Sequence, residues 1–266
     1  MSRAASSGRF ILLSALSFAI CLGLSLPPAF SGGTAWLVQI PYEGPPKAEP
    51  VPDVSVAPNS NPLSPEELQR AEALLPLLEG KQEFWAMGEF VHLGEPIVPV
   101  LTKALTMPGP RIRYNAIETL SMLKSPAAVP ALLDAAKQVN ELPRIREHAL
   151  RVAVRLDPLQ TPAAIEMMVK DPNPTIRKVA AFESRYVRHK QVIQPLIDLV
   201  GDEERFVAIS AVQSLWMLTR HETEFHDWEA SSKQDRQNWA QEWTEWWNAS
   251  KDSFELPPPP QRRRSG

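Results

Sequence analysis

Four segments of the chain decide its fold because they superpose on one another. They read RIRYNA (111–116), RIREHA (144–149), TIRKVA (175–180) and RFVAIS (205–210). An apolar residue stands at the second position of each segment, with steps of 33, 31 and 30 residues between copies: Ile112, Ile145, Ile176 and Phe206. A small residue follows four positions later in every copy: Ala116, Ala149, Ala180 and Ser210. Phe84 and Gly88 form a fainter copy 28 residues before Ile112. Repetition at this period indicates stacked structural units.

A second helical pattern precedes each of these segments. PIVPVL (96–101) resembles AAVPAL (127–132), and residues 163–168 and 192–197 stand in the same place. Ser64, Pro65 and Glu67 form a helix-start signature at the beginning of the array. Because a single helix pair cannot bury its own apolar face, we expect the pairs to stack. The sequence therefore predicts an all-α, right-handed α-solenoid of about five helix pairs over residues 64–220.

The pattern of an apolar residue, an arginine, two further residues and an alanine resembles HEAT repeats. It is most similar to the short bacterial HEAT repeats that are also seen in phycobilisome-lyase-like proteins. The resemblance implies a non-catalytic binding scaffold without a cofactor. It also implies a structural ladder of three arginines, each paired with an acid of the preceding turn, as Asp171 would pair with Arg177: Arg113, Arg146 and Arg177. Trp85 and Val207 depart from the motif, because they stand where the arginine is expected.

The first 63 residues have the composition of a targeting segment followed by a linker. Arg3 and Arg9 precede an uncharged run, Phe10–Leu26, and the small residues of a cleavage signal follow it within residues 29–31. We expect a signal peptide over residues 1–31 and a secreted or periplasmic protein, the alternative being an N-terminal membrane anchor with the rest outside the cytoplasm. The single cysteine, Cys21, follows Ile20 rather than a small residue, which disfavours a lipoprotein. Residues 32–63 are rich in proline and predict a disordered, semi-extended linker.

The C-terminal region predicts a cap for the array. Four tryptophans at i, i+4, i+7 and i+8 mark one face of a helix: Trp239, Trp243, Trp246 and Trp247. A solenoid needs a terminal element to cover its last apolar face, so we expect residues 221–256 to pack on the last repeat. Residues 257–266 read as a disordered tail.

The second helices carry most of the basic charge in the array. Residues 111–124, 144–155 and 177–190 contain twelve bases against three acids, although the whole chain has a net charge of −3. The second helices of such arrays usually line the concave side, so this charge predicts a basic concave groove for an acidic protein segment or another polyanion. The candidate partner-binding residues are Tyr114, Glu118, Arg151, Arg155 and Arg185. The alternative is a charged helix face that only solvates the protein.

Other function classes find less support in the sequence. His221 and His226 stand near several acids, but their spacing matches no zinc motif. His92, His148 and His189 are isolated on predicted helices. A HEAT-type enzyme, either tetrapyrrole lyase-like or metal-dependent, is the open alternative to a scaffold. Predicted export and the lack of aromatic residues interleaved on the basic helices disfavour nucleic acid as the partner.

Overall fold

The computed structural model describes residues 62–221, 223–224 and 226–258. The predicted targeting segment, the linker up to residue 61 and the tail from residue 259 lie outside the described residues. Within the described part, no helix is long and apolar enough to cross a membrane. The α-helices are α1 (Pro65–Leu74), α2 (Glu83–Leu93), α3 (Val98–Ala104), α4 (Pro110–Leu123), α5 (Val129–Lys137), α6 (Pro143–Leu156), α7 (Pro162–Met168), α8 (Pro174–Ser184), α9 (Ile193–Val200), α10 (Arg205–Thr219) and α11 (Lys233–Ser250).

Proline residues set the starts of most of these helices. A proline occupies the first or second position where its missing N–H costs no hydrogen bond: Pro65, Pro99, Pro110, Pro130, Pro143, Pro162 and Pro174. Ser64 and Glu67 form a reciprocal capping box at the start of α1. α4 and α10 end at residues in the left-handed conformation, Lys124 and Arg220. These signals keep the helices short and their connections tight.

The helices form consecutive pairs that stack along the chain. α3 packs on α4, α5 on α6, α7 on α8 and α9 on α10, while α2 packs on the short 3-10 helix Leu75–Leu78 that continues α1. The second helices α2, α4, α6, α8 and α10 also pack on one another in that order. The terminal helix α11 packs on α9, the first helix of the last pair. This arrangement confirms the expected all-α solenoid of five helix pairs followed by a terminal helix.

Small residues allow the second helices of neighbouring pairs to approach closely. Ala116 on α4, Ala149 on α6 and Ala180 on α8 are completely buried. Between α8 and α10, the Ser214 Oγ donates a hydrogen bond of 2.7 Å to the carbonyl of Ala181, in the preceding second helix. A hydroxyl can reach a neighbouring backbone in this way only where no large side chain intervenes. The repeat register predicted for the central pairs is therefore the register of the packed core.

The register predicted for the first pair is wrong. Phe84 is 79% exposed, whereas its expected equivalent Ile112 is buried. Ala86 and Phe90 are buried in α2 and stand 30 residues before Ala116 and Leu120 of α4. In this register Glu83, and not Trp85, stands where the central repeats carry their arginine. Phe84 and Trp85 are both exposed, and the position equivalent to Ile112 in this register is Gln82, so the apolar pair placed the sequence pattern two residues out of register.

The register predicted for the last pair is wrong by one residue. Phe206 is 43% exposed, while Val207, Ala211 and Leu215 are completely buried. Val207 and Ala211 stand 31 residues after Ile176 and Ala180, so the repeat step stays at 31. Ala208 then occupies the arginine position that the sequence pattern gave to Val207. Two neighbouring apolar residues, Phe206 and Val207, offer two registers here, and burial selects Val207.

Candidate interaction face on the second helices

Three arginines of the central repeats join each helix pair to the next one. Arg113 pairs with Glu141, Arg146 with Asp171, and Arg177 with Asp202 at 2.7 and 2.9 Å. Each acid lies in the turn of the following pair, 28 or 25 residues further along the chain. Each guanidinium also donates to backbone carbonyls near the turn of its own pair, those of Met107, Ala136 and Asp171. These contacts assign a structural role to the three arginines.

The ion pair predicted between Arg177 and Asp171 is wrong. The Asp171 carboxylate binds Arg146 of the preceding pair, and Arg177 reaches Asp171 only through its backbone carbonyl, at 3.0 Å. The carboxylate partner of Arg177 is Asp202 in the next turn. The ladder therefore runs forward along the stack, because the end of each arginine side chain lies between its own turn and the next.

Residues spaced four apart form the outer side of the second helices, opposite the buried stripe. We call this surface the second-helix face and define it by three positions on each helix. These positions are Phe84, Gly88 and His92 on α2; Tyr114, Glu118 and Met122 on α4; Glu147, Arg151 and Arg155 on α6; Lys178, Phe182 and Tyr186 at α8; and Ile209, Gln213 and Met217 on α10. All are exposed or half-buried. The predicted residues Tyr114, Glu118, Arg151 and Arg155 lie on this face, and Arg185 lies beside Tyr186.

Contacts between side chains connect successive helices across this face. The ring of Tyr114 on α4 stacks on His148 of α6 with centroids 4.6 Å apart. Arg151 of α6 contacts Glu183 of α8 at 3.2 Å and Glu147 of its own helix at 2.6 Å. From α8, the Arg185 Nε donates to Ser214 Oγ of α10 at 3.3 Å. The face is therefore a continuous surface from α4 to α10.

Burial changes the protonation behaviour of two groups beneath the face. Burial lowers the pKa of His148 below its ordinary value of 6.5; the charge of Glu118 opposes this shift, and that of Arg151 adds to it. The His148 Nε2 lies 3.2 Å from a Glu118 oxygen, without hydrogen-bond geometry. Burial also raises the pKa of Glu183, although its hydrogen bond to Arg151 acts in the opposite direction. Both groups therefore favour their neutral forms more than they would in water.

The basic charge of the second helices is smaller than the sequence count indicates. Four of the twelve bases pair with acids that lie outside the counted segments, namely Glu83, Glu141, Asp171 and Asp202. Arg151 is balanced by Glu147 and Glu183. In the described part of the chain, Arg155 and Lys178 are the bases of the defined face that form no ion pair. Positive charge is therefore concentrated on α6 and α8.

Aromatic residues on this face were missed by the sequence argument. Phe182 and Tyr186 are 37% and 52% exposed, and the Arg185 guanidinium lies over the Phe182 ring, 3.9 Å from its centroid. Arginine and aromatic side chains thus alternate on and just after α8. The predicted absence of aromatics from the basic helices is wrong. The four-residue spacing from Lys178 to Tyr186 is the signal that would have revealed them.

The tryptophan-rich helix α11 packs at the end of the array. Trp243 and Trp247 are buried, while Trp239 and Trp246 are half-buried beside them. Ala240 of this helix lies against Gly201, at the end of α9. The four tryptophans therefore belong to the packing of the terminal helix.

The two histidines before α11 pack on its tryptophans. His221 stacks on Trp246 at 4.3 Å, and His226 stacks on Trp239 at 4.2 Å. His226 also lies 3.3 Å from Glu242. Among the described residues, no three potential metal-ligating side chains come together. The isolated His189 precedes the short 3-10 helix Lys190–Val192 and caps it, so the helical placement predicted for it is wrong.

Comparison with known proteins gives one family. Residues 84–153 match the family model for HEAT repeats. No curated protein matches the chain. HEAT repeats commonly mediate protein–protein interactions and are generally non-enzymatic scaffolds. The match covers α2 to α6, and the same pairwise stacking continues to α10. Residues 84–153 are therefore similar to HEAT repeats, and the described helices have the stacked, all-helical architecture of such repeats.

Proposed function

We propose that the chain is a non-catalytic scaffold module that binds an acidic segment of a protein partner across the second-helix face. The observation that carries the proposal is the distribution of exposed apolar side chains. Of the fourteen large apolar side chains exposed in the described part, nine lie on the second helices or directly after α8: Phe84, Trp85, Val91, Met122, Phe182, Tyr186, Phe206, Trp216 and Met217. Five of these nine lie on the second-helix face itself: Phe84, Met122, Phe182, Tyr186 and Met217. Concentration of this kind marks interaction surfaces.

The chemistry of the face supports a protein partner. Protein interfaces are enriched in aromatic residues, methionine and arginine, and these are the residue types that accompany Arg155 on the face. Because Arg155 and Lys178 are exposed and form no ion pair within the described residues, they are available to a negatively charged partner. Arg151 contributes differently, since its guanidinium is held by two acids. We therefore assign Arg151 a structural role, in which it holds α6 and α8 together beneath the partner.

The compartment of this interaction is part of the proposal. Arg3 and Arg9, followed by the uncharged run Phe10–Leu26, support export from the cytoplasm. The partner then lies in a periplasmic or extracellular compartment, or at the outer side of a membrane if residues 10–26 stay as an anchor.

Charge reversal on the face tests the proposal. Full-length bait with Arg155→Glu and Lys178→Glu should recover roughly tenfold less partner from crosslinked cells than the wild type, because like charges would face an acidic segment. The control bait carries Lys170→Glu and Lys233→Glu, two exposed bases away from the face. It has the same net charge as the first variant. Equal recovery by both variants would refute the assignment of the face.

A further inference from the structure

We infer that the partner segment is an amphipathic helix that docks in the groove between α8 and α10, with its acidic N-terminal half over Arg185 and Arg188. This inference rests on the proposed function, because it assigns the docking mode of the same face. It goes further by naming the conformation, the orientation and the residue pattern of the partner.

The groove arises from the close packing of α8 and α10. Ser210 of α10 lies against the carbonyl of Lys178 at 3.3 Å, and Ser214 lies against that of Ala181 at 2.7 Å. These bonds bring two stripes side by side: Lys178, Phe182 and Tyr186 on one side, and Ile209, Gln213 and Met217 on the other. Both stripes are spaced by four residues and span two helical turns. A shallow channel between two parallel helices accommodates a third helix along its length.

The walls of this groove are more apolar than those of the groove between α4 and α6. Phe182, Tyr186 and Met217 are 37%, 52% and 51% exposed, and Phe206 extends the same wall at the start of α10. The groove between α4 and α6 instead carries charged side chains, including Glu118 and Arg151 with its two acids. The apolar face of a partner helix would therefore bury most apolar surface between α8 and α10. The apolar residues of such a partner recur every three or four positions.

The C-terminal end of the groove is basic. Arg185, Arg188 and Arg220 lie near the C-terminal ends of α8 and α10, and they form no ion pair among the described residues. Acids stabilise the N-terminal turn of a helix through its dipole. A partner helix with acids in its first turn thus fits antiparallel to α8 and α10.

Arg185 provides a specific contact at the basic end. Its guanidinium is fixed over the Phe182 ring, and its Nε donates to Ser214 Oγ. Its Nη2 is buried and has no hydrogen-bond partner within the described residues. Because the Nη2 atom itself is inaccessible, a partner carboxylate would approach the exposed part of this half-buried side chain, which forms no ion pair among the described residues. This contact favours an acidic residue next to the apolar stripe of the partner.

A selection from random peptides tests the inference directly. The probe is a phage-displayed library of random peptides about 16 residues long, enough for roughly four helical turns, panned on the full-length chain. We expect enriched peptides to carry apolar residues at spacings of three and four, preceded by Asp or Glu. Synthetic copies should gain helical circular dichroism on binding. Their affinity should fall at least about tenfold for a bait with Tyr186→Ala and Met217→Ala.

The control bait carries Leu159→Ala and Met167→Ala, which truncate two exposed apolar residues outside the face. The docking mode would be overturned by enriched peptides without helical spacing, by equal binding to both double variants, or by no enrichment above a bait-free surface. If native recovery still depends on Arg155 and Lys178 in any of these cases, the proposed function stands and only the groove assignment fails. If native recovery is insensitive to those residues, the proposed function itself fails.

Discussion

Replacing Arg146 by Ala is expected to lower the free energy of unfolding by about 3–5 kcal/mol. Arg146 and Asp171 are 3% and 7% exposed, and the pair joins α6 to the turn before α8. Removing the guanidinium leaves the Asp171 carboxylate buried without its charge partner and the Ala136 carbonyl without its donor. The loss is therefore much larger than that of a surface ion pair. Urea unfolding followed by far-ultraviolet circular dichroism measures it.

Two further variants separate the charge effect from simple loss of packing. Arg155→Ala changes an exposed arginine of the same helix and should cost less than about 0.5 kcal/mol. Arg146→Met combined with Asp171→Asn removes both charges while keeping similar volume, and the introduced amide oxygen can still accept the bond that Asp171 receives from the Asn173 N–H. We expect the double variant to be more stable than Arg146→Ala alone, because no buried charge is left unpaired. If Arg146→Ala cost no more than Arg155→Ala, the ladder would not hold the stack together.

Replacing Trp243 by Ala should destabilise the protein by about 3–5 kcal/mol, the range for truncating a large buried side chain. Trp243 is 1% exposed, and its ring packs against His221 and Trp246. The cavity would weaken the packing of α11 on α9 and would expose the apolar surface of α9 that α11 covers. Thermal or urea unfolding, with tryptophan fluorescence as a second probe, reports the change.

Trp85→Ala is the matched control for this prediction. The same substitution at a side chain that is 53% exposed should change the free energy of unfolding by less than about 0.5 kcal/mol. Similar losses for the two variants would show that Trp243 does not anchor the terminal helix. A loss for Trp243→Ala alone is the result expected if α11 closes the array.

The central repeats could be predicted from sequence because their neighbours constrain them on both sides. Ile112, Ile145 and Ile176 are buried, and each is followed after four residues by a buried alanine. A helix that packs on a preceding and on a following helix has one narrow set of buried positions, so the pattern is unambiguous. That set recurs in sequence with the period of the stack.

The end repeats and the ion pairs could not be predicted in the same way. Phe206 has an apolar neighbour, Val207, and only the packed structure shows that Val207 is the buried one. In the first pair Phe84 and Trp85 are both exposed, and the position equivalent to Ile112 is the polar Gln82. One partner of Arg151, Glu183, lies 32 residues further along the chain, and the carboxylate partner of Arg177 lies 25 residues further. Sequence proximity favoured Asp171 for Arg177, but the spacing of successive turns in the stack brings Asp202 to it. The net positive charge of the face depends on these pairings, so the count of bases in the sequence overestimates it.

The most direct test of the interaction face is site-specific photo-crosslinking in cells that produce the protein. A photoreactive phenylalanine analogue is placed at position 186 on the face, and in a parallel strain at position 159, an exposed leucine away from it. After irradiation, we expect a discrete, higher-mass adduct with one partner at position 186 and none at position 159. An adduct at position 159 that is absent from position 186 would contradict the account, because the partner would then bind outside the second-helix face.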